Sequence, residues 1–243
     1  MLEELVYIHQ QIPISGVTLE VPEPNTLLIK ADQPLKVASS AILGGHLRTA
    51  NYILNHTVDL NYGGDDPEKD LQQVAAGLEL KKDIVGMMTA VSIKNTLMSC
   101  CQIESLKVVT LCTAGIGNPG VAGIPIRQVT NNNCPGTINL IVLIDGNLTE
   151  AAMINAVMTA TEAKARSLFK KQIKLANGEQ VTGTTSDAIV VACTGNGKSI
   201  PYAGTATDLG YLIGKTVYES LTKGIDLYLD YKRKEKEAVS LSN

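Results

Sequence analysis

The sequence predicts an α+β fold: a mixed, largely antiparallel sheet covered by helices, arranged as a layered α/β sandwich. Three observations carry this expectation. Apolar runs at 84–91, 106–114 and 138–144 follow one another with Gly, Pro and Asn between them and no helical pattern. A parallel sheet would need crossovers of a dozen or more residues, usually helical. The first forty residues break into short β-branched segments at Pro and Gly, and two amphipathic patterns near 150–171 and 207–231 are long enough to cover a sheet.

The elements follow in chain order. Leu5–Gln11, Val17–Val21 and Thr26–Ala31 read as a three-strand meander, punctuated by Pro13, Gly16, Pro22 and Pro24. Lys36–Ala41 is a further short strand before Gly44-Gly45. His46–Asn55 carries Leu47, Ala50 and Leu54 at helical spacing, so a helix is expected there. Asp66-Pro67 starts another helix, with proline at its first position and acid in its first turn, running to about Leu80. Asn147–Thr149 leads into a long helix from about Glu150 to Lys171. Asn177-Gly178, between Ile173–Leu175 and Gln180–Thr182, is a two-residue hairpin signal. Ala188–Cys193 is a buried strand. Thr207–Tyr231 closes the pattern as a helix with Leu212, Val217, Leu221, Ile225 and Tyr228 on one face. With no repeat or low-complexity linker, residues 1–243 read as one domain.

Composition excludes several classes. A net charge of -3 argues against nucleic acid, whose phosphates demand a positive field. Apolar residues make up 44 %, yet no run approaches the ~20 residues of a membrane span. Met1–Val6 is acidic and lacks the basic region of a signal peptide, so a soluble cytoplasmic protein is expected. The five cysteines, Cys100, Cys101, Cys112, Cys134 and Cys193, form no CxxC pair, and reduced thiols are expected. His9, His46 and His56 show no ligand spacing, so no metal is expected. Trp is absent and Phe occurs once, so a flat ligand would rest on aliphatic and backbone surfaces.

Four polar constellations remain. Asn155, Thr159, Glu162 and Arg166 fall on one stripe of the long helix. The ordinary reading is a solvated face with a Glu162–Arg166 pair. The functional reading makes Glu162 a general base among small alanines, on the condition that burial raises its pKa. Gly136-Thr137-Ile138-Asn139 opens a strand: the glycine lets a ligand approach the main chain, and Asn139 is a candidate oxyanion donor. Thr182–Asp187 puts hydroxyls, including Thr184 and Thr185, and a carboxylate before a buried strand. Asp187 either caps a turn or holds a proton carrier. Ser39-Ser40 with Gly44-Gly45, Thr89, and Asn118-Pro119-Gly120 add polar loops at strand ends, which suit a ligand rimmed by amides. Thr194–Ser199 imitates the end of a phosphate loop, but Ala192 stands at the required glycine and Pro201 obstructs the helix. An ordinary turn is expected.

Several of these blocks, in order, resemble the adenosylcobinamide amidohydrolase family. They are Ser39-Ser-Ala with Gly44-Gly45, Gly86-Met-Met-Thr-Ala90, Thr113–Pro119, Gly136-Thr-Ile-Asn139, Asn155 with Thr159–Lys164, and Gly183–Ala188. The resemblance covers roughly 36–220 as a core, between a meander at 1–35 and a C-terminal helix at 205–235. It implies hydrolysis of the amide joining aminopropanol to a corrin ring, yielding adenosylcobyric acid for cobamide salvage. It implies a corrinoid as substrate and requires no cofactor; a homo-oligomer is compatible with the chain. His46 stands where the family pattern often has a third glycine. The residues themselves leave alternatives open: catalysis by Glu162, Asn139 and Asp187 with the loops binding substrate, a corrinoid carrier using the same loops, or a self-processing hydrolase with Thr137 freed after Gly136. The continuity of the sequence counts against the last, and an intact mass near 25.8 kDa would end it.

Overall fold

A strand buried on both faces reads as an unbroken apolar run, and the runs at 106–114, 138–145 and 188–193 form the middle of one eight-stranded sheet. The computed structural model describes residues 11–81, 83–125 and 136–241. In chain order the strands are β1 (Val17–Glu23), β2 (Thr26–Ser39), β3 (Leu47–Thr57), β4 (Ile84–Thr89), β5 (Leu97–Ile103), β6 (Leu106–Ala114), β7 (Pro119–Gly120), β8 (Ile138–Asp145), β9 (Asn147–Leu148), β10 (Gly183–Thr184), β11 (Ala188–Cys193) and β12 (Ser199–Ile200). The helices are α1 (Pro67–Gly77), α2 (Glu150–Lys170) and α3 (Asp208–Leu241). The main sheet runs β4-β3-β2-β11-β8-β6-β5, with β1 also paired to β2. Among the described residues only β3–β4 and β11–β8 are parallel within it, so the mixed, largely antiparallel α+β architecture is observed. The pairs β7–β10 and β9–β12 tie loops together beside it.

The sheet folds back on itself. β3 and β8 are three strands apart in the order, about 14 Å if flat at the usual strand spacing. Yet Asn139 on β8 and Asn55 on β3 are hydrogen-bonded at 2.8 Å. The enclosed core gathers Ile53, Val85 and Met87 from one end with Val109, Leu111 and Ile141 from the other. Outside this double layer, α2 and α3 cover β6, β8 and β11 through Ala156, Ala160, Leu212, Val217 and Leu221. Leu28 and Leu54 on the opposite outer face pack against Ala75 of α1. Helix, sheet, sheet and helix therefore stack in sequence.

The helix starts follow their local chemistry. Asp66 accepts from Lys69 N with Pro67 at the first position, and Thr149 accepts from Ala152 N before Glu150. Other expectations change. Residues 46–55 are not a helix: they form most of β3, antiparallel to β2 and parallel to β4, and Leu47 of the supposed apolar stripe is 42 % exposed. Pairing on both sides overrides local spacing, aided by Thr49, Tyr52 and Ile53. The separate strands at 26–31 and 36–41 are one strand, β2, with an irregular register between Lys30 and Leu35. The turn at Asn177-Gly178 is present, with Gly178 at φ 89. Its flanks pair through the antiparallel bridge Lys174–Gln180 and through Leu175 N to Glu179 O at 2.9 Å and Val181 N to Ile173 O at 3.0 Å, a short hairpin with no extended strands. Strand β5 was not anticipated. Residues 5–10 of the first expected strand, Cys134 and His9 lie outside the described residues.

Candidate active site

The polar loops converge where β8 begins. Gly115 N donates to Thr137 O at 2.9 Å, holding the chain before β8 against the end of β6. A Cβ on Gly136 would lie 2.3 Å from Gly117 N and 2.9 Å from Gly115 O, so only glycine fits there. Thr137 is 7 % exposed, and its Oγ1 lies 2.7 Å from Ser186 Oγ. Ser186 Oγ also donates to Gly136 O at 3.1 Å. The β7–β10 pairing sets Asn118 beside this pair, with its Nδ2 donating to Thr185 Oγ1 at 2.8 Å and to Ser186 Oγ at 3.4 Å. Asn118 Oδ1 is buried and has no partner.

Asp187 organises the loop from beneath. Its carboxylate accepts from Ile138 N at 3.1 Å, from Thr184 N at 3.0 Å, from the Thr184 hydroxyl and from Lys164 Nζ. Both side chains of the Lys164–Asp187 pair are 10 % exposed. Four donors fill the carboxylate, and one of them fixes the first peptide of β8. Asp187 thus holds Thr137 and Ser186 in register.

A cavity of about 310 Å³ opens over the hydroxyl pair, lined by Ile42, Asp59, Tyr62, Met88, Thr89, Asn118, Thr137 and Ser186. It adjoins a second of about 240 Å³ through Leu60 and Ala90, whose wall includes Gly115, Gly224, Leu227 and Tyr231. Thr89 is buried and accepts from Val91 N at 3.0 Å. The Tyr62 phenol donates to Asp70 at 2.5 Å, and this bond to a carboxylate pushes its pKa up to about 12.

The decisive comparison is with protein families: the model for adenosylcobinamide amidohydrolase matches residues 14–233. The chain belongs to the adenosylcobinamide amidohydrolase family. The match exceeds the expected 36–220 at both ends and takes in β1 and most of α3. A curated adenosylcobinamide amidohydrolase from Methanosarcina mazei is 30 % identical over 211 residues, 83 % of this chain and 94 % of that one. One from Halobacterium salinarum is 33 % identical over 156 residues, 63 % of each chain. Among solved structures, the L-aminopeptidase D-Ala-esterase/amidase of Ochrobactrum anthropi, described as a variant of the Ntn hydrolase fold, aligns more loosely. Its TM-score is 0.42 at 9 % identity, over 86 % of this chain and 82 % of that one.

Within this amidohydrolase, the anticipated residues divide. Thr89, Asn118 and Thr137 line the cavity, and Thr184, Thr185 and Asp187 build the loop that carries Ser186. Ser39 Oγ accepts from Ala41 N, and Ser40 Oγ accepts from Ile189 N, so both hydroxyls tie down the end of β2. Gly44, at φ 68, and Gly45 make the close turn into β3, where a Cβ would strike Ile84 O at 2.4 Å and Ala41 O at 2.1 Å; this loop meets the cavity only through Ile42. Thr159 is buried and donates to Ala203 O at 2.8 Å, a structural tie between α2 and the loop before α3. Asn139 is 1 % exposed and spends its amide hydrogens on Asn55 Oδ1 and Met88 O, which leaves no donor for an oxyanion. Glu162 is exposed, so the burial its role as base required is absent. It lines a different cavity, of about 570 Å³, with Lys164 and Thr182–Thr185. Arg166 stacks on Tyr218 at 4.3 Å.

Ser186, Lys164 and Asn55 escaped the sequence reading as individual site residues. Ser186 lies within Gly183–Ala188 and Lys164 within Thr159–Lys164, and the only signal at either is the density of small polar residues there. Among the described residues, no cluster of three or more His, Cys, Asp or Glu side chains is placed to hold a metal. Cys100, Cys101, Cys112 and Cys193 are free thiols, and burial pushes the Cys112 thiol well up. No helix among the described residues is long and apolar enough to cross a membrane.

Proposed function

We propose that residues 1–243 act as one cytoplasmic amidohydrolase domain. Its reaction is hydrolysis of the amide between aminopropanol and the corrin ring of adenosylcobinamide, giving adenosylcobyric acid for cobamide salvage. One observation supports this beyond family membership: a buried threonine hydroxyl paired with an exposed serine hydroxyl at the floor of a cavity. A hydroxyl already sharing its proton is suited to attack a carbonyl. Ser186 Oγ–H, which now donates to the Gly136 carbonyl, marks where a developing oxyanion would be stabilised. The orphaned Asn118 Oδ1 is an acceptor awaiting an N–H, such as that of the substrate amide.

The cavity size selects how the substrate enters. About 310 Å³ is at the lower end of small-molecule sites. It takes an aminopropanol arm, while the much larger corrin macrocycle rests outside against Ile42, Leu60 and Tyr231. No metal or organic cofactor is required in this reading. Incubation with adenosylcobinamide, followed by mass detection of cobyric acid, is the test. Product that persists after chelator dialysis supports the scheme. Corrinoid binding without turnover, over a range of pH and added metals, would leave a carrier instead.

A further inference from the structure

We propose that the chain cuts its own backbone between Gly136 and Thr137, so that the working enzyme bears Thr137 as a new N-terminus. The freed α-amine then serves as the base for the threonine's own hydroxyl. This rests on the reading of Thr137 as the attacking group.

Among the described residues, the site lacks a free base before such a cut. Asp187 is filled by four donors. Glu162 is exposed in another cavity. The Tyr62 phenol is committed to Asp70, and Asp59 lies on the exposed rim. Among the described residues, no imidazole lines the cavity. An N-terminal threonine supplies both nucleophile and amine on one residue.

The intact chain is arranged for the step that would release it. Thr137 Oγ1 is 2.7 Å from Ser186 Oγ, and Ser186 Oγ is 3.1 Å from Gly136 O. Thr137 Oγ1 adds to the Gly136 carbonyl carbon; its proton passes to Ser186 Oγ as the Ser186 proton passes to the carbonyl oxygen. The carbon–nitrogen bond then breaks, and the nitrogen of Thr137 takes that proton back through Ser186, leaving an ester on Thr137 Oγ1. One water hydrolyses the ester, giving a Gly136 carboxylate and restoring the Thr137 hydroxyl. One water is consumed, with no oxidant or reductant. The close packing of Gly136 on Gly115 and Gly117, and the Asp187 bond to Ile138 N, hold the two sides of the bond still. The continuity of the sequence, which counts against a cut when the residues are read alone, is that of the chain as translated, and a chain that later cuts itself is translated in the same continuous form.

The fragments would not separate in native buffer. β8 and β11 come after the cut, yet lie between β2 and β6, which come before it. Denaturing conditions are therefore essential. The purified full chain is examined by denaturing electrophoresis, intact mass and N-terminal sequencing, beside Thr137→Ala, Thr137→Ser and Ser186→Ala, with circular dichroism confirming that each variant is folded. Wild type should give two pieces whose masses sum to the full chain plus water, the second beginning Thr-Ile-Asn. Thr137→Ser should also cut, Thr137→Ala should stay whole, and Ser186→Ala should slow cutting by about 10²-fold or more. A wild type that remains one species near 25.8 kDa after prolonged incubation overturns the proposal, as does cutting in Thr137→Ala. Uncut protein that hydrolyses adenosylcobinamide removes this inference alone. Cut protein that yields no cobyric acid removes the substrate reading instead.

Discussion

Asn139 and Asn55 join the two halves of the folded sheet through a 2.8 Å side-chain hydrogen bond in the interior. Asn139 also donates to Met88 O at 2.9 Å, and Asn55 donates to Thr113 Oγ1 at 3.2 Å. Buried polar chains of this kind act as a unit, because removing one member leaves another unsatisfied. Asn139→Ala should therefore cost about 1–3 kcal/mol in urea unfolding. Asn55→Ala should cost a similar amount, and the double variant less than the sum. An unchanged midpoint with a large fall in turnover would return Asn139 to the reacting centre.

Asn118 is expected to act in binding. Losing its unpaired Oδ1 removes one hydrogen bond to substrate, about 1 kcal/mol, or roughly fivefold in KM. Steady-state kinetics of Asn118→Ala should show that rise with kcat little changed. A loss confined to kcat would instead place Asn118 at the oxyanion.

The Lys164–Asp187 pair offers a stability test. Breaking a buried pair from one side strands a charge, at a cost of about 3–5 kcal/mol. Lys164→Met and Asp187→Asn should each lower Tm more than the double variant does. Additive losses would mean that the two groups do not sense each other.

Glu162 stands exposed on α2. Glu162→Gln should keep turnover within about threefold of wild type, since general-base losses run to 10²–10⁴. A fall of that larger size would move the chemistry to the cavity beside Thr182–Thr185.

His56 gives a pH signature. Burial lowers its pKa from 6.5, while Glu23 pulls the other way; its ring meets Thr26 Oγ1 at 2.9 Å. The folded chain therefore binds this proton less readily than the unfolded chain. Stability should be fully present above about pH 6.5 and fall as the pH drops below it. Denaturant midpoints measured from pH 7.5 to pH 5 should show the fall, and His56→Gln should flatten it.

Particular residues show what the sequence disclosed. β6, β8 and β11 were legible because burial on both faces leaves an unbroken apolar run. The starts of α1 and α2 were legible because Asp66 and Thr149 cap them locally. β3 was misread because Leu47, Ala50 and Leu54 fall at helical spacing by accident, while its pairing partners are distant in sequence. β5, Leu-Met-Ser-Cys-Cys-Gln-Ile, lies at the sheet edge with a half-exposed pattern that local chemistry barely marks. At the site, Thr137, Asn118 and Asp187 stood out as small polar residues at strand ends. Ser186 did not, because its importance comes from two atoms some fifty residues away in the chain, and Asn139 lost its expected role to partners on β3 and β4.

The strand order also governs how this chain must acquire its shape. Val37 on β2 pairs with Ala192 on β11, so the centre of the sheet is filled by segments made late in synthesis. While the ribosome has delivered only β1 to β6, the inner edges of β2 and β6 face an empty slot two strands wide. Such long-range closure makes folding slow and exposes sticky edges meanwhile. Production should consequently depend on chaperone capacity and growth temperature, and C-terminal truncation before β11 should send the chain to inclusion bodies.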